Sequence, residues 1–129
     1  SCFATVGDHL PEELRLKKTV ARLATYLQGY GDLLVKTNDW DPAVLERFRA
    51  DSVVQSFGGG IDHKGTAEQI EHIATLLPDE WLEPSATGTA QQCVDRIRKE
   101  FDYGADALIM HGATPDELEP VVAAYRATA

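Results

Sequence analysis

Three stretches of this sequence share one helix-starting pattern, a Thr followed three residues later by Gln or Glu. They are Thr66-Ala67-Glu68-Gln69, Thr89-Ala90-Gln91-Gln92 and Thr114-Pro115-Asp116-Glu117. In this pattern the threonine oxygen accepts from the backbone amide three residues on. The Gln or Glu side chain reaches back to the threonine's own amide, so two otherwise orphaned donors are satisfied together. A single match is weak. Three matches, each leading into apolar residues at helical spacing, predict three helices. The first two are near-copies, Gly65 to Gln69 and Gly88 to Gln92, which convergent capping explains as well as duplication does.

The segments between these helices set the fold class. Ala105-Asp106-Ala107-Leu108-Ile109-Met110-His111-Gly112 is a short, almost wholly apolar run bounded by glycines. Strands covered on both faces read this way, and they belong to parallel sheets. Trp81 to Thr87 is a poorer strand candidate, because Pro84 cannot donate to a central ladder. Cys2 to Val6 reads as a short buried strand that ends at Gly7-Asp8. Alternating strands and helices predict an α/β fold with right-handed crossovers and about three short parallel strands.

Upstream, Pro11-Glu12-Glu13 opens a helix whose apolar positions run from Leu14 to Leu27. Gly29 to Gly31 is expected to interrupt it, with a shorter helical piece over Asp32 to Lys36. Asp41 before Pro42 is a candidate N-cap for a further helix. Ser52 to Phe57 is ambiguous, and Gly58-Gly59-Gly60 reads as a flexible break.

The 129 residues carry a formal net charge of −9. Such a surface repels phosphate backbones and anionic membranes, so neither nucleic acid nor membrane is an expected partner. Acidity of this kind most simply keeps a surface soluble. No stretch is apolar enough to span a bilayer and no signal peptide is visible, so the cytoplasm is the expected compartment. Cys2 and Cys93 form no CxxC pair and read as reduced core residues. Three short strands leave exposed edges, and a complete (β/α) barrel takes roughly 250 residues. The chain also opens on a strand without an initiator Met. Residues 1–129 are therefore expected to form a single partial domain, with a helical excursion over about 10–57 and regular β/α units over about 61–129. A removed initiator Met is the competing account of Ser1.

The segment from Ser85 to Val94, with Gly104-Ala105-Asp106 through Leu118, resembles the C-terminal end of luciferase-like monooxygenases. There a Gly-Thr helix start is followed by Gly-Ala-Asp and an apolar last strand. The closest likeness is to the branch that uses coenzyme F-420. It covers nearly the whole chain and is most specific over 85–126. The resemblance implies the C-terminal part of a TIM-type (β/α)8 barrel. It further implies an oxidoreductase that exchanges hydride between a deazaflavin, or alternatively FMN, and a small organic substrate. Most of the family's cofactor contacts come from earlier strands, so this stretch alone is expected to be inactive.

Active sites of this fold sit at the carboxyl ends of strands. His111 is accordingly the candidate catalytic group, and Gly112, Asp8 and His9 are candidate cofactor contacts. Each has a structural competitor. His111 can serve as a loop histidine beside Gly112, and Asp8 and His9 can cap the helix near Pro11. Gly88-Thr89 could receive an anion, but the capping box already uses some of those amides. Gly58-Gly59-Gly60 lacks the phosphate-loop pattern and reads as a mobile linker or lid. His63, Glu68 and His72 do not make a metal set, and Glu68 and His72 are expected on a solvated helix face. Trp40 and Trp81 read as core or interface residues. A stand-alone helical module that works by association, as a homo-oligomer or against a missing half-barrel, remains the reading from a different class.

Overall fold

The computed structural model describes the backbone of residues 2–129 and the side chains from Ala4 onward. It is a helix-rich α/β structure with a three-stranded parallel sheet. Two compact units divide the chain. One comprises the residues up to Arg15 together with Glu83–Ala129, and the other comprises Leu16–Leu82. The helical unit thus runs further than the excursion expected from sequence. It takes in the helix at Thr66, whose apolar side chains Ile70 and Ile73 belong to its core.

The sheet unit holds β1 (Cys2–Gly7), β2 (Ala86–Gly88), α8 (Ala90–Asp102), β3 (Ile109–His111) and α9 (Pro115–Ala127). The strand order is β2-β1-β3. Thr5 is in register with Ala86, and Ala4 with His111. Consecutive strands of a complete barrel pair in chain order, whereas here β1 is central. With three strands only, β1 is the longest and offers both edges. Parallel partners share a face and successive residues alternate. One face carries Ala86 and Met110, which pack with Cys93, Val94 and Ile97 of α8 and Val121 of α9. The other carries Ala4, Val6, Thr87, Ile109 and His111.

Two strand expectations change. Trp81 lies in the short helix α7 (Asp79–Leu82), and only Ala86–Gly88 pairs in the sheet. The run from Ala105 contributes only Ile109–His111, and Ile109 is 65% exposed rather than covered. Its apolar pattern matches a central strand, but its place is an edge.

The helical unit is built on α2 (Arg22–Asn38), which follows a π-helical turn at Lys17–Ala21 and the short α1 (Glu12–Leu16). Gly29 to Gly31 does not end α2. The helix kinks instead, with Tyr30 at φ −129° and ψ 18°. Packed with it are α3 (Pro42–Ala50), α4 (Ser52–Gln55), α5 (Ile61–Lys64) and α6 (Ala67–Ala74). The core centres on Leu27, Phe48, Ile61 and Ile73. Trp40 and Trp81 stack at its margin, ring centroids 4.4 Å apart and nearly parallel.

All three capping boxes close through both of their limbs. Asp41 caps α3 as its sequence position predicts, accepting from the Ala43 amide at 2.9 Å. In the structure the Gly58-Gly59-Gly60 break lies against α2. Gln28 Nε2 donates to the Gly59 carbonyl, and the Ile61 amide donates to Gln28 Oε1, both at 3.3 Å. Thr25 and Asp62 exchange two further hydrogen bonds at 3.0 Å. These bonds tie the loop and the start of α5 to α2.

Candidate functional site

The parallel sheet brings its three carboxyl ends to one side. Asp8 and His9 follow β1, Thr89 follows β2, and His111 closes β3 ahead of Gly112. In α/β sheets this is where ligands bind, because side chains and loop amides converge there. All four sequence candidates therefore lie at one end of the sheet, on two of its three strands.

Asp8 and His9 do not cap α1, which begins at Glu12. The Asp8 amide donates to the Gly88 carbonyl at 2.7 Å and ties the ends of β1 and β2 together. His9 Nε2 donates to the Glu117 carbonyl at 3.0 Å, in the first turn of α9. A carbonyl can only accept, so Nε2 carries a proton in this contact. The chain turns tightly to bring the ring there. A side chain at Gly7 would collide with the His9 imidazole. Sequence reasoning placed His9 correctly at the strand end but missed this clamp, because its partner lies 108 residues away.

His111 is half-buried and shares the face away from α8 and α9 with Val6, Thr87 and Ile109. Gly112 takes φ +74°, a left-handed turn that leads towards α9. Cys93 lies beneath the end of β2, its Sγ 3.9 Å from the Gly88 carbonyl. Burial, and then the negative charge of Asp8, push its thiol up to about 11. It stays protonated at neutral pH and is no nucleophile there.

The helix N-termini at this end are partly occupied by their own capping boxes. Thr89 accepts from the Gln92 amide while Gln92 Oε1 accepts from the Thr89 amide. Glu117 makes the same pair of bonds with Thr114 and places a carboxylate at the start of α9. Gly88 sits at φ +95°, and the space its side chain would need is filled by the Gln92 amide. An anionic cofactor therefore finds the N-cap and third-position amides of both helices already used, and the space beside Gly88 filled. These residues do not by themselves fit a deazaflavin or FMN. No group of three metal-ligating side chains occurs among the described residues.

Away from the sheet, Glu68 and His72 are both exposed, as expected of a solvated helix face, and His72 also has a partner across the unit. Its Nε2 donates to Asp51 Oδ2 at 2.9 Å, while Asp51 Oδ1 accepts from the Val53 and Val54 amides at the start of α4.

No family model, no curated protein and no solved structure matches the chain.

Proposed function

We propose that this chain supplies one wall of the site of a luciferase-like oxidoreductase, the C-terminal part of a (β/α) barrel. The longer protein would exchange hydride between coenzyme F-420, or alternatively FMN, and a small organic substrate. The observation that carries the proposal is the gathering of His111, Gly112, Asp8 and His9 at the carboxyl end of one parallel sheet. The resemblance over residues 85–126 supplies the chemistry. In this reading His111 faces the reacting groups and His9 is a positioning residue that holds the loop after β1 on α9. With part of each helix terminus occupied by its own cap, this reading leaves most of the cofactor's anionic groups to residues outside this stretch. In a barrel, β3 would pair with β2 and with a strand beyond these residues, leaving β1 to its sequential neighbours. The cytoplasm remains the proposed compartment.

Titrating the 129-residue chain with F-420 and with FMN tests the partial-site reading. The expected result is no stoichiometric binding of either. One equivalent bound would overturn it. In the longer protein, His111→Gln is expected to lower kcat at least tenfold, and unchanged turnover would remove His111 from the chemistry.

A second reading is favoured by the exposed Ile109 on an edge strand and by the uncovered apolar surface of α9. Here the chain acts by association, and these surfaces are buried in a partner.

A further inference from the structure

The core between the sheet and its two helices does not close beside β3. Three elements bound a cavity of about 310 Å³ there. From α8 come Ile97 and Phe101, four residues apart and so on one helix face. Leu108 and Met110 come from the β3 segment, two residues apart and so on the sheet face that the helices cover. Val121 and Tyr125 come from α9, again four residues apart. Ile97 and Val121 are members of the buried core itself, so the floor of the cavity is core rather than outer helix surface. All three walls belong to one compact unit. Protein interiors pack as densely as organic crystals and hold few voids larger than a water molecule. A space near 300 Å³ over core side chains is of the size at which small-molecule sites begin.

Among the described lining side chains only Tyr125 and Arg126 carry hydrogen-bond donors, and they are neighbours in the last turn of α9. Arg126 is exposed, and its side chain makes no ion pair or hydrogen bond among the described residues. The Tyr125 hydroxyl has no protein partner there either. Arg98 is differently engaged. Its guanidinium lies 5.8 Å from the Tyr125 ring centroid and donates to the Thr128 carbonyl and hydroxyl at 2.6 and 2.7 Å. That contact holds the Tyr125 ring as a wall and leaves Arg126 as the cation at the rim.

Volume and polarity together define the occupant. An apolar cavity of about 150 Å³ holds a benzene ring. About twice that volume takes a fused two-ring aromatic or another body of about ten carbons. A guanidinium beside a phenol at one end takes a single carboxylate, through charge-assisted hydrogen bonds. A protein segment fits poorly, because each of its residues would bring an amide and a carbonyl to walls that offer them no partners. We propose that this cavity binds a small monocarboxylate with a compact apolar body. The carboxylate meets Arg126 and Tyr125, and the body lies against Phe101, Met110 and Ile97. Met110 is on the face of the sheet opposite His111, so the inference rests on neither the oxidoreductase nor the association reading.

Calorimetric titration of the whole chain tests this with two probes, naphthoate and its neutral counterpart naphthalenemethanol. The wild type is expected to take one equivalent of each, with naphthoate about fivefold tighter. Arg126→Gln should remove that preference and leave the alcohol within about twofold of its wild-type affinity. Val122, half-buried, also lines the cavity, so Val122→Phe fills it and should abolish binding of both probes. Far-UV circular dichroism confirms that each variant is folded. Should Val122→Phe unfold, the exposed Arg126 position still decides. No binding of either probe to the wild type overturns the site. Binding that survives in a folded Val122→Phe puts the probes elsewhere and overturns it too. Naphthoate binding no tighter than the alcohol, or unchanged by Arg126→Gln, overturns the carboxylate assignment. None of these results bears on F-420 or FMN binding.

Discussion

Asp51 does two jobs with one carboxylate. It caps α4 through Oδ1 and holds His72 of α6 through Oδ2. Burial raises its pKa, but the bonds from His72 and from the Val54 and Val53 amides outweigh that and hold it below the usual aspartate range. A carboxyl that titrates lower folded than unfolded stabilises the fold above the unfolded value, near 3.9. That stabilisation drains away as pH falls through the lower folded value. Asp51→Ala is expected to cost about 1–2 kcal/mol at pH 7, read from urea melts. The gap between variant and wild type should close below about pH 4, and a gap that persists into acid would refute the assignment. Local pattern marked Asp41 as a cap because Pro42 follows it. Asp51 carried no such mark, and His72 lies 21 residues away.

At the scale of elements, the capping boxes were the most legible feature. Their hydrogen bonds span three residues, so composition and spacing suffice to place them. Gly88 shows how tightly one is built. Its left-handed φ and the Gln92 amide both exclude a side chain. Gly88→Ala should cost about 1–2 kcal/mol from φ strain alone, and more because Gln92 must leave the cap. In a Gln92→Ala background the collision is gone, so the glycine change should cost less. Thermal unfolding of the four-member cycle measures this, and strict additivity would sink the argument. The strands were less legible. Val6 and Thr5 are both buried, so β1 reads as a doubly covered strand and is one. The run at Ile109 has the same apolar pattern, yet pairing decides which strand is central. The helix through Gly29 to Gly31 was missed for a related reason. Local propensity predicts a break there, whereas α2 continues through a kink to Asn38, with Gly31 and Val35 on its buried side.

At the scale of the whole molecule, the described residues hold two hydrophobic cores, one in each compact unit. The larger centres on Phe48, which is fully buried among Leu27, Ile61 and Ile73. Phe48→Ala is expected to lower stability by about 3–5 kcal/mol in urea unfolding. A loss under 1 kcal/mol would mean that this core does not hold the helical unit together. The smaller core lies between the sheet and α8 and α9 and keeps Cys93 reduced and buried. No helix among the described residues is long and apolar enough to cross a membrane. The sequence by itself determined the class, parallel strands alternating with capped helices, because period and capping act over a few neighbouring residues. It also placed His111 and His9 at strand ends. Only the tertiary structure decided that β1 is central, that His9 is clamped to α9, and that Gly58 to Gly60 is pinned to α2. Each of those depends on bonds between residues tens of positions apart, which no local pattern encodes.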